Sequence, residues 1–355
     1  MATYIAEDLN DASKFFNTLL YTGNGSTGHA ITGVGFEADW TWIKNRETTD
    51  VFNISTSVSG TNKYLITSSN DMLQSGSENL QSWGSDGFTV GTDNQFNQSA
   101  DGYVSYNLKA GTTSGISGGT ITPSAYSINT TSGFGIYAYS GTGSNGTIAH
   151  GLGSAPKMII CKRTAGDTGD WNSWHSGLTS GTYYINMNTA SAEVSNATVW
   201  NSTVPSSTEV SLGTYAAVNA SGSDYVMYAF TPKQGYSCFT KYSGNGNAEG
   251  PYVFLGFKPA FIMIKETDSS SGWCMYDNKR SLNNPGWYNV NSNFLQANDT
   301  GMESVNANLA MDFLSNGFKI RNGAGDINGL ANSYIVMAFA EDPYVNSNGV
   351  SNNAR

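Results

Sequence analysis

The sequence predicts an all-β protein built from three tandem antiparallel β-sandwich domains of jelly-roll or lectin-like type. Its 355 residues include 41 glycines and are 12% aromatic but only 12% charged, a composition that favours strands and turns over long helices. A unit marked by Tyr21, Tyr139 and Tyr242 occurs three times, and each tyrosine stands 23 residues before a lysine. Equal spacing without gaps indicates a structural repeat.

Each unit predicts the same succession of strands. A first strand ends at the tyrosine, in "FFNTLLY", "FGIYAY" and "YSCFTKY", and a Gly-x-Gly turn leads to a second strand near Ile31, Ile148 and Val253. The third strand is a nearly continuous apolar run that ends at the lysine, where we expect the chain to return to water. An aromatic-rich segment, a Ser-x-Gly-Phe turn that is degraded in the second copy, and a closing strand ("YVSYNL", "YVMYAF", "YIVMAF") complete the unit.

The repeats define the predicted domain boundaries. Residues 1–14 form an N-terminal arm, 15–110 the first repeat, 111–132 a linker, 133–232 the second repeat, 235–343 the third repeat and 344–355 a C-terminal tail. The linker is assigned because "GTTSGISGGTITPS" is polar and glycine-rich, which is typical of an exposed, flexible segment. In the arm, "AEDLNDASKFF" has one apolar side and predicts a short helix.

The glycine turns match a dinucleotide-binding fingerprint in spacing alone. "YTGNGSTG" and "YSGTGSNG" contain Gly-x-Gly-x-x-Gly, but no helical pattern follows Gly28, and Glu249 takes the place of the last glycine in the third copy. A bound pyrophosphate would need a helix N-terminus at that point. We therefore expect no cofactor, and we assign a structural role as repeat turns to Gly23, Gly25, Gly141, Gly143, Gly244 and Gly246.

Charge and hydropathy exclude several classes of partner. The formal net charge is −10 and the pI is about 4.7, and lysine and arginine form no cluster, so we expect neither nucleic acid nor an anionic membrane as a partner. No apolar run approaches the roughly 18 residues of a membrane span, and the N-terminus lacks the features of a signal peptide. These patterns predict a protein that is made and kept soluble in a cytoplasm.

The sequence indicates no catalytic residues and no metal site. Its acidic residues are scattered, and Asp86 of the first repeat is matched by Asn316 in the third, so no pair of carboxylates recurs for glycoside hydrolysis. The three histidines lack partners at ligand spacing, and no EF-hand loop is present. The cysteines are odd in number and far apart, and we expect buried free thiols at Cys161, Cys238 and Cys274.

Aromatic residues in predicted loops are the remaining candidates for a binding surface. An exposed aromatic ring can stack on the apolar face of a sugar while Asn and Asp side chains bind its hydroxyls, as in a lectin. The alternative is that these side chains form the core or the contacts between repeats. The candidates for a receptor-facing surface are Trp171, Trp174, His175, Trp273, Tyr276, Trp287 and Tyr288, with Trp83 as a further aromatic in the first repeat.

Several stretches together resemble a known family. The series "FFNTLLYTGNGS", "GVGFEADWTWIKNR", "SDGFTVG" and "YVSYNLKA", its echoes "YSGTGSNGTIAHGLGSAPKMIICKR" and "GFKPAFIMIK", and the ending "AFAEDPYVNSNGVSNNAR" are similar to repeats in virion structural proteins of tailed bacteriophages, notably marine and cyanobacterial phages. The resemblance covers about residues 15–355, and such proteins are described as tail-fibre or tail-associated. It implies a non-catalytic structural protein that is located in the virion after synthesis in the host cytoplasm.

The resemblance also implies partners. It implies contacts with other virion proteins, a homo-oligomer that by analogy is a trimer, and recognition of a host surface glycan or protein by a fibre-like appendage. A purely architectural function, as capsid decoration or a tail connector, is the alternative, and a polysaccharide-degrading tailspike is the third. The N-terminal arm is then expected to anchor the chain, with the third repeat outermost.

Overall fold

The computed structural model describes residues 9, 11–280 and 290–343. Within them the chain is all-β, as the sequence predicts, because short strands form several antiparallel sheets and each helix is a single turn. The short helix predicted in the arm is only a 3₁₀ turn, Ala12–Lys14, where the Asp11 carboxylate accepts a hydrogen bond from the Ser13 N–H at 3.1 Å. Ala12 within this turn and Leu9 before it are buried.

The strands fall into three sets, one for each predicted repeat. The first set is β1 Phe16–Thr22, β2 His29–Thr32, β3 Trp40–Asn45, β4 Asn53–Thr56, β5 Lys63–Ile66, β6 Gln74–Ser75, β7 Leu80–Gly84, β8 Gly87–Val90 and β9 Gly102–Leu108, with helix α1 Asn94–Asn97. The second set is β10 Ala125–Asn129, β11 Phe134–Ser140, β12 Gly146–Ala149, β13 Met158–Ala165, β14 Asn172–His175, β15 Tyr183–Asn186, β16 Val194–Ser195, β17 Glu209–Leu212 and β18 Asp224–Phe230, with helix α2 Ala216–Asn219. The third set is β19 Ser237–Ser243, β20 Tyr252–Phe254, β21 Phe257–Glu266, β22 Cys274–Asp277, β23 Val290–Asn291, β24 Asn293–Gln296, β25 Ser304–Val305, β26 Met311–Leu314, β27 Gly317–Ile320 and β28 Ser333–Pro343, with helix α3 Gly325–Asn328 and a 3₁₀ turn Ala307–Leu309.

Each set builds one large sheet with the same strand order. The order is β1-β9-β3-β4-β5-β6 in the first set, β11-β18-β13-β14-β15-β16 in the second, where β10 is added beside β11, and β19-β28-β21-β22-β24-β25 in the third. A small sheet accompanies each large one, namely β2-β8-β7, β12-β17 and β20-β27-β26-β23. The closing strand of each unit therefore lies between the strand that ends at the tyrosine and the strand that ends at the lysine.

The large sheets are buried on both faces. In the first repeat one face packs on the small sheet through a cluster that includes Ile43, Phe88 and Tyr103. The opposite face, which carries Trp40 and Trp42, belongs to a second cluster shared by all three repeats. Burial on both faces removes the alternation of apolar and polar residues. This is why the third strand of each unit reads as a continuous apolar run, and all six residues of β3 are buried.

Aromatic pairs join the repeats within the shared cluster. The ring centroids of Phe16 in the first repeat and Phe339 in the third are 4.7 Å apart, and those of Trp40 in the first and Tyr228 in the second are 4.4 Å apart. Phe230 of the second repeat lies 6.3 Å from Phe339. Such close aromatic contacts are typical of a protein interior. The three repeats therefore share one core.

The lysine at the end of each third strand is buried as well. The prediction that the chain returns to water at this lysine is therefore wrong. Lys44, Lys162 and Lys265 are all buried. Each ammonium donates to backbone carbonyls, for example to Thr48 O at 2.8 Å from Lys44 Nζ and to Gly169 O at 2.5 Å from Lys162 Nζ. Burial lowers the pKa of each of the three lysines to about 8. The carbonyl bonds offset part of the desolvation cost of these cations.

The three repeats contact one another through the same backbone hydrogen bond. The acceptor is the carbonyl of the residue two positions after each lysine. The donor is the N–H of the residue just before the edge strand (β6, β16 or β25) of the large sheet in another repeat. The bonds are Leu73 N to Thr164 O at 3.2 Å, Glu193 N to Thr267 O at 2.9 Å and Glu303 N to Arg46 O at 2.8 Å. They join the first repeat to the second, the second to the third and the third to the first. The repeats thus close a ring with approximate threefold symmetry.

A buried ion network lies where the third repeat meets the first. Arg46 forms a bidentate pair with Glu303 at 2.8 and 3.0 Å. Glu303 also accepts a bond from the buried Arg280 at 3.2 Å, and Arg280 pairs in turn with Asp277. The Asp277 carboxylate accepts a further bond from Tyr106 Oη at 2.9 Å. Cations and carboxylates therefore alternate across the junction that closes the ring.

The segment 111–132 is exposed over much of its length, as predicted, but it is attached to both neighbouring repeats and is not a flexible linker. Its strand β10 extends the second large sheet, and Gly119 forms a β-bridge with Ile148 of the small sheet. Ser127 Oγ donates to the Asp39 carboxylate of the first repeat at 2.8 Å. Polar, glycine-rich composition does not reveal these contacts, because they are made largely by the backbone and by hydroxyl groups. The segment connects the first two repeats by direct contact with both.

Removal of the Glu303 carboxylate should destabilise the ring. Glu303→Ala leaves the buried guanidinium of Arg280 with one anionic partner fewer, and breaking a buried ion pair costs about 3–5 kcal/mol. We expect a loss of that size in urea denaturation and faster hydrogen exchange at the amide of position 303. The control, Lys14→Ala, removes an exposed pair with Asp11 and should change the free energy of unfolding by less than about 1 kcal/mol. Equal losses in the two variants would contradict a special role for this junction.

Candidate functional site

The aromatic residues predicted to face a receptor are buried wherever the structure describes them. Trp171, Trp174, Trp273 and Tyr276 are all 5% exposed or less, which corrects the prediction of an exposed aromatic surface. They lie at or beside β14 and β22, which are interior strands of large sheets covered on both faces. Residues Trp287 and Tyr288, the other two candidates of the third repeat, lie outside the described residues.

Two of these tryptophans join neighbouring repeats. Trp171 Nε1 donates to Ile66 O of the first repeat at 2.9 Å, and Trp273 Nε1 donates to Asn186 O of the second at 3.0 Å. In the first repeat Phe52 stands at the equivalent position and has no side-chain donor. The alternative interpretation, in which these aromatics pack repeat against repeat, therefore describes them.

His175 also lies in a junction between repeats. It is 1% exposed, its Nδ1 accepts a bond from Gly177 N at 2.9 Å, and its Nε2 lies 3.2 Å from Val336 O of the third repeat. An accepting Nδ1 leaves Nε2 as the donor, which is the neutral tautomer. Burial lowers the pKa of His175 to about 4, and the nearby Lys157 and Lys241 act in the same direction. This imidazole is therefore a structural group, not a receptor contact.

The six predicted turn glycines lie where the chain of each repeat passes from the large sheet to the small sheet. Because β1 pairs with β9 in the large sheet and β2 pairs with β8 in the small sheet, the turn does not close a hairpin. The second glycine of each pair has a φ between 64° and 72°, which favours glycine. At the first glycine a Cβ would instead lie 2.1–2.2 Å from a backbone carbonyl oxygen. The glycines with positive φ are Gly25, Gly143 and Gly246, and the closely packed ones are Gly23, Gly141 and Gly244.

A buried asparagine and a stacked tyrosine pair fix each turn, a feature that sequence reasoning missed. In the first repeat the Asn97 amide accepts a bond from Asn24 N at 2.8 Å and donates to Gly91 O at 2.7 Å. Tyr21 stacks on Tyr103 with ring centroids 4.9 Å apart. The same arrangement occurs at Asn219 with Tyr139 and Tyr225, and at Asn328 with Tyr242 and Tyr334. The signal was present, since each asparagine stands six residues before the tyrosine of the closing strand.

An open polar cleft, which we call the Asp39 cleft, lies where the first repeat meets the segment 111–127. It consists of two adjoining pockets of about 320 and 400 Å³ that share Asp39 and Ser57. Glu37, Trp83 and Lys109 are among the residues that line the first pocket, and Thr113, Ser124 and Tyr126 are among those that line the second. Volumes of this size are typical of pockets that hold a small ligand.

The Asp39 carboxylate holds the two sides of the cleft together. It accepts hydrogen bonds from Ser57 Oγ at 2.6 Å, from Ser127 Oγ at 2.8 Å and from Ala110 N at 2.7 Å. Charge-assisted bonds of this kind are stronger than bonds between neutral groups. The carboxylate is thus engaged on both oxygens and fixes the shape of the cleft.

Three side chains of the first pocket give the cleft its binding chemistry. Glu37 is exposed, whereas Lys109 and Trp83 are half-buried. Trp83 Nε1 donates to Thr41 Oγ1 at 3.3 Å, which limits rotation of the indole. The pocket thus offers hydrogen-bond acceptors, donors and an aromatic ring. This arrangement is suited to binding a polar ligand with an apolar face.

Other chemistries have little support in the part of the chain that the structure describes. There, no three His, Cys, Asp or Glu side chains are grouped so that they could hold a metal ion. The helices described are all too short to cross a membrane. The three cysteines are free thiols, and burial raises the pKa of Cys161 and Cys274 to about 12 and that of Cys238 to about 11. These thiols therefore stay protonated at neutral pH.

Substitution of a closely packed turn glycine should destabilise its repeat. In Gly244→Ala the new Cβ would lie 2.1 Å from Gly329 O, so the backbone must move, at a cost of about 1–3 kcal/mol in guanidinium denaturation. The matched control is Gly325→Ala in the same repeat, where a Cβ meets no atom within 4 Å. We expect that variant to be neutral or stabilised by up to about 1 kcal/mol. A similar loss in both variants would show that close packing is not the reason for glycine at position 244.

Acidification should destabilise the fold through His175. Its pKa is about 4 in the folded state and about 6.5 in the unfolded chain, so the unfolded state binds the proton first as the pH falls. The stability that depends on the neutral imidazole is complete above pH 6.5 and is lost as the pH falls towards 4. We expect a loss of about 2–3 kcal/mol between pH 7 and pH 4.5, measured by urea denaturation. His175→Gln should show a correspondingly smaller decline, and an equal decline would exclude His175 as the cause.

Comparison with known proteins identifies the family of the chain. No curated protein matches it. A family model described as "Domain of unknown function (DUF7483)" matches residues 11–343. The match includes all three repeats and far more than half of the chain, so the protein belongs to the DUF7483 family.

Proposed function

We propose that the chain is a non-catalytic structural protein of a phage virion, in a tail fibre or fibre-like appendage, and that it takes part in host-surface recognition. The Asp39 cleft is the observation that carries the proposal. The cleft is open, its shape is fixed by the bonds of Asp39, and it contains acceptor, donor and aromatic groups. The similarity of the repeats to those of phage virion proteins supplies the biological setting. The proposal includes three β-sandwich modules of jelly-roll or lectin-like type, one in each repeat.

The recurring polar residues support a structural role for the rest of the chain. In all three repeats the lysine of the third strand, the asparagine of the turn and the tyrosine of the closing strand are buried and hydrogen-bonded to the backbone. Buried polar groups that are satisfied in this way stabilise and specify a fold. Their hydrogen-bonding capacity is used inside the protein, so ligand binding falls to groups at the surface. Other virion proteins and further copies of the chain are the proposed partners, with a trimer by analogy.

A purely architectural function is the second candidate, as capsid decoration or a tail connector. The ring of three repeats favours it, because a chain with approximate threefold symmetry suits a threefold axis of a particle. Apolar side chains are exposed at or beside the edge strands β6, β16 and β25 of the ring, and such groups suit contact with a protein partner. These side chains are Met72, Val194, Met302 and Val305.

The position of the chain on the particle tests the two functions. Antibodies raised against the purified chain should label the tail of intact particles in electron micrographs and should reduce adsorption to host cells. The purified chain added in excess should compete with particles for the same cells. Label on the capsid together with normal adsorption would favour the architectural function. Particles without label would contradict both.

A further inference from the structure

We propose that the Asp39 cleft binds a neutral oligosaccharide, with Glu37, Lys109 and Trp83 in contact with the sugar and Asp39 as a positioning residue. This inference rests on the proposed function of host-surface recognition, and it names the class of ligand.

The three repeats provide an internal comparison that separates fold from function. Backbone bonds identify equivalent positions. Asp39 O accepts a bond from Ser57 N, just as the carbonyls of Lys157 and Ala260 accept bonds from the matching residues of the second and third repeats. The same position is therefore occupied by a carboxylate, an ammonium or a methyl group. Because all three repeats have the same sheet order, that order does not depend on Asp39, whose bonds to Ala110 and Ser127 instead hold the connecting segment at the cleft.

The ligand-facing side chains of the first pocket are also specific to the first repeat. Lys109 N donates to the carbonyl of the residue just before β1, as the N–H groups of Thr231 and Ala340 do to the residues just before β11 and β19 in the second and third repeats. Trp83 pairs with Phe88 in the small sheet, as Phe313 pairs with Phe318 in the third repeat. Counted from the lysine of the third strand, Glu37 corresponds to Ala155 and Lys258. Several side chains that are found in the first repeat alone therefore line the same cleft. Binding of a ligand would explain why they occur together.

The charged groups of the first pocket are available to a ligand. Within the described residues, neither the Glu37 carboxylate nor the Lys109 ammonium forms an ion pair or a side-chain hydrogen bond, whereas Lys258 and Glu341 pair with each other in the third repeat. Side chains that point into a cleft without a partner can bond to a ligand without first breaking a bond within the protein.

The chemistry of these groups indicates a sugar. A carboxylate accepts bonds from sugar hydroxyls, an ammonium donates to sugar oxygens, and an indole provides contact for the apolar face of the ring. Hydroxyl groups continue into the second pocket at Thr113, Ser124 and Tyr126. Two adjoining pockets with such a lining suit a ligand of several linked units better than a single monosaccharide.

Charge selects a neutral ligand. The chain carries a formal net charge of −10, and the cleft itself combines the carboxylates of Glu37 and Asp39 with the single ammonium of Lys109. An anionic glycan would be repelled by the protein as a whole and by this local excess of negative charge. A neutral chain of hexoses or N-acetylhexosamines has no such penalty.

The experiment measures binding of the purified full chain to an array of neutral oligosaccharides of two to four hexose or N-acetylhexosamine units, with sialylated and sulfated oligosaccharides for comparison. We expect binding to at least one neutral oligosaccharide and weaker binding to its anionic relatives. The double variant Glu37→Ala, Lys109→Thr carries the side chains that the second repeat has at these positions, so it should fold with an unchanged melting temperature. Its affinity for the neutral oligosaccharide should fall about tenfold or more.

A matched control removes one acidic and one basic residue outside the cleft. Asp71→Ala, Lys63→Thr changes two exposed side chains and should leave oligosaccharide binding as it is in the wild type. Binding to anionic oligosaccharides alone, or neutral binding that survives the cleft variant, would overturn the assignment of the ligand.

Adsorption separates failure of this inference from failure of the proposed function. If no oligosaccharide binds but the wild-type chain blocks adsorption and the cleft variant does not, the ligand class is wrong and the recognition function stands. If the neutral oligosaccharide binds in the cleft but neither protein affects adsorption, the site stands and the proposed recognition function is overturned.

Discussion

The constraint on which the structure depends is that each large sheet is covered on both faces. The small sheet of the same repeat covers one face, and the neighbouring repeats cover the other. A repeat removed from its neighbours would expose the aromatic side of its large sheet, including Trp40 in the first repeat and Phe261 in the third. Burial of one such side chain contributes about 1.5–3 kcal/mol. Folding of each repeat is therefore coupled to closure of the ring.

The same constraint explains what could be predicted from the sequence. The strands, their order within each unit and the equivalence of the three units follow from local patterns and from spacing, and the structure contains them. The environment of the second face could not be predicted, because it depends on contacts between residues far apart in the chain. The local sequence leaves Trp171 and Trp273 open between a receptor-facing surface and a contact between repeats, and it places Lys162 at the return to water. In the structure a neighbouring repeat or a backbone loop covers each of these side chains. An aromatic residue beside a turn has the same local sequence whether it faces water or another repeat.

The segment 111–132 illustrates a second limit of composition. A polar, glycine-rich stretch is expected to lack a reason to fold, because it buries few apolar side chains. Here the backbone supplies the reason, since the N–H groups of Thr120 and Ile121 both donate to Thr147 O at 2.9 Å. Hydrogen bonding along a sheet edge does not depend on side-chain type, so composition cannot detect it. The Asp39 cleft, which this segment helps to form, was beyond prediction for the same reason.

Residues that differ among otherwise equivalent repeats serve two different purposes in this chain. At the junction of the third repeat with the first, Arg46 stands where the other repeats have Thr164 and Thr267. Its pair with Glu303 stabilises a contact that chain connectivity does not enforce. In the Asp39 cleft, Glu37 and Lys109 are also specific to one repeat, but they line an open pocket and are without such a bond in the described structure. Closure of the ring explains why Arg46 occurs in one repeat only, because it bonds across the junction. Closure of the ring does not explain Glu37 and Lys109, which line an open pocket, whereas binding of a ligand does.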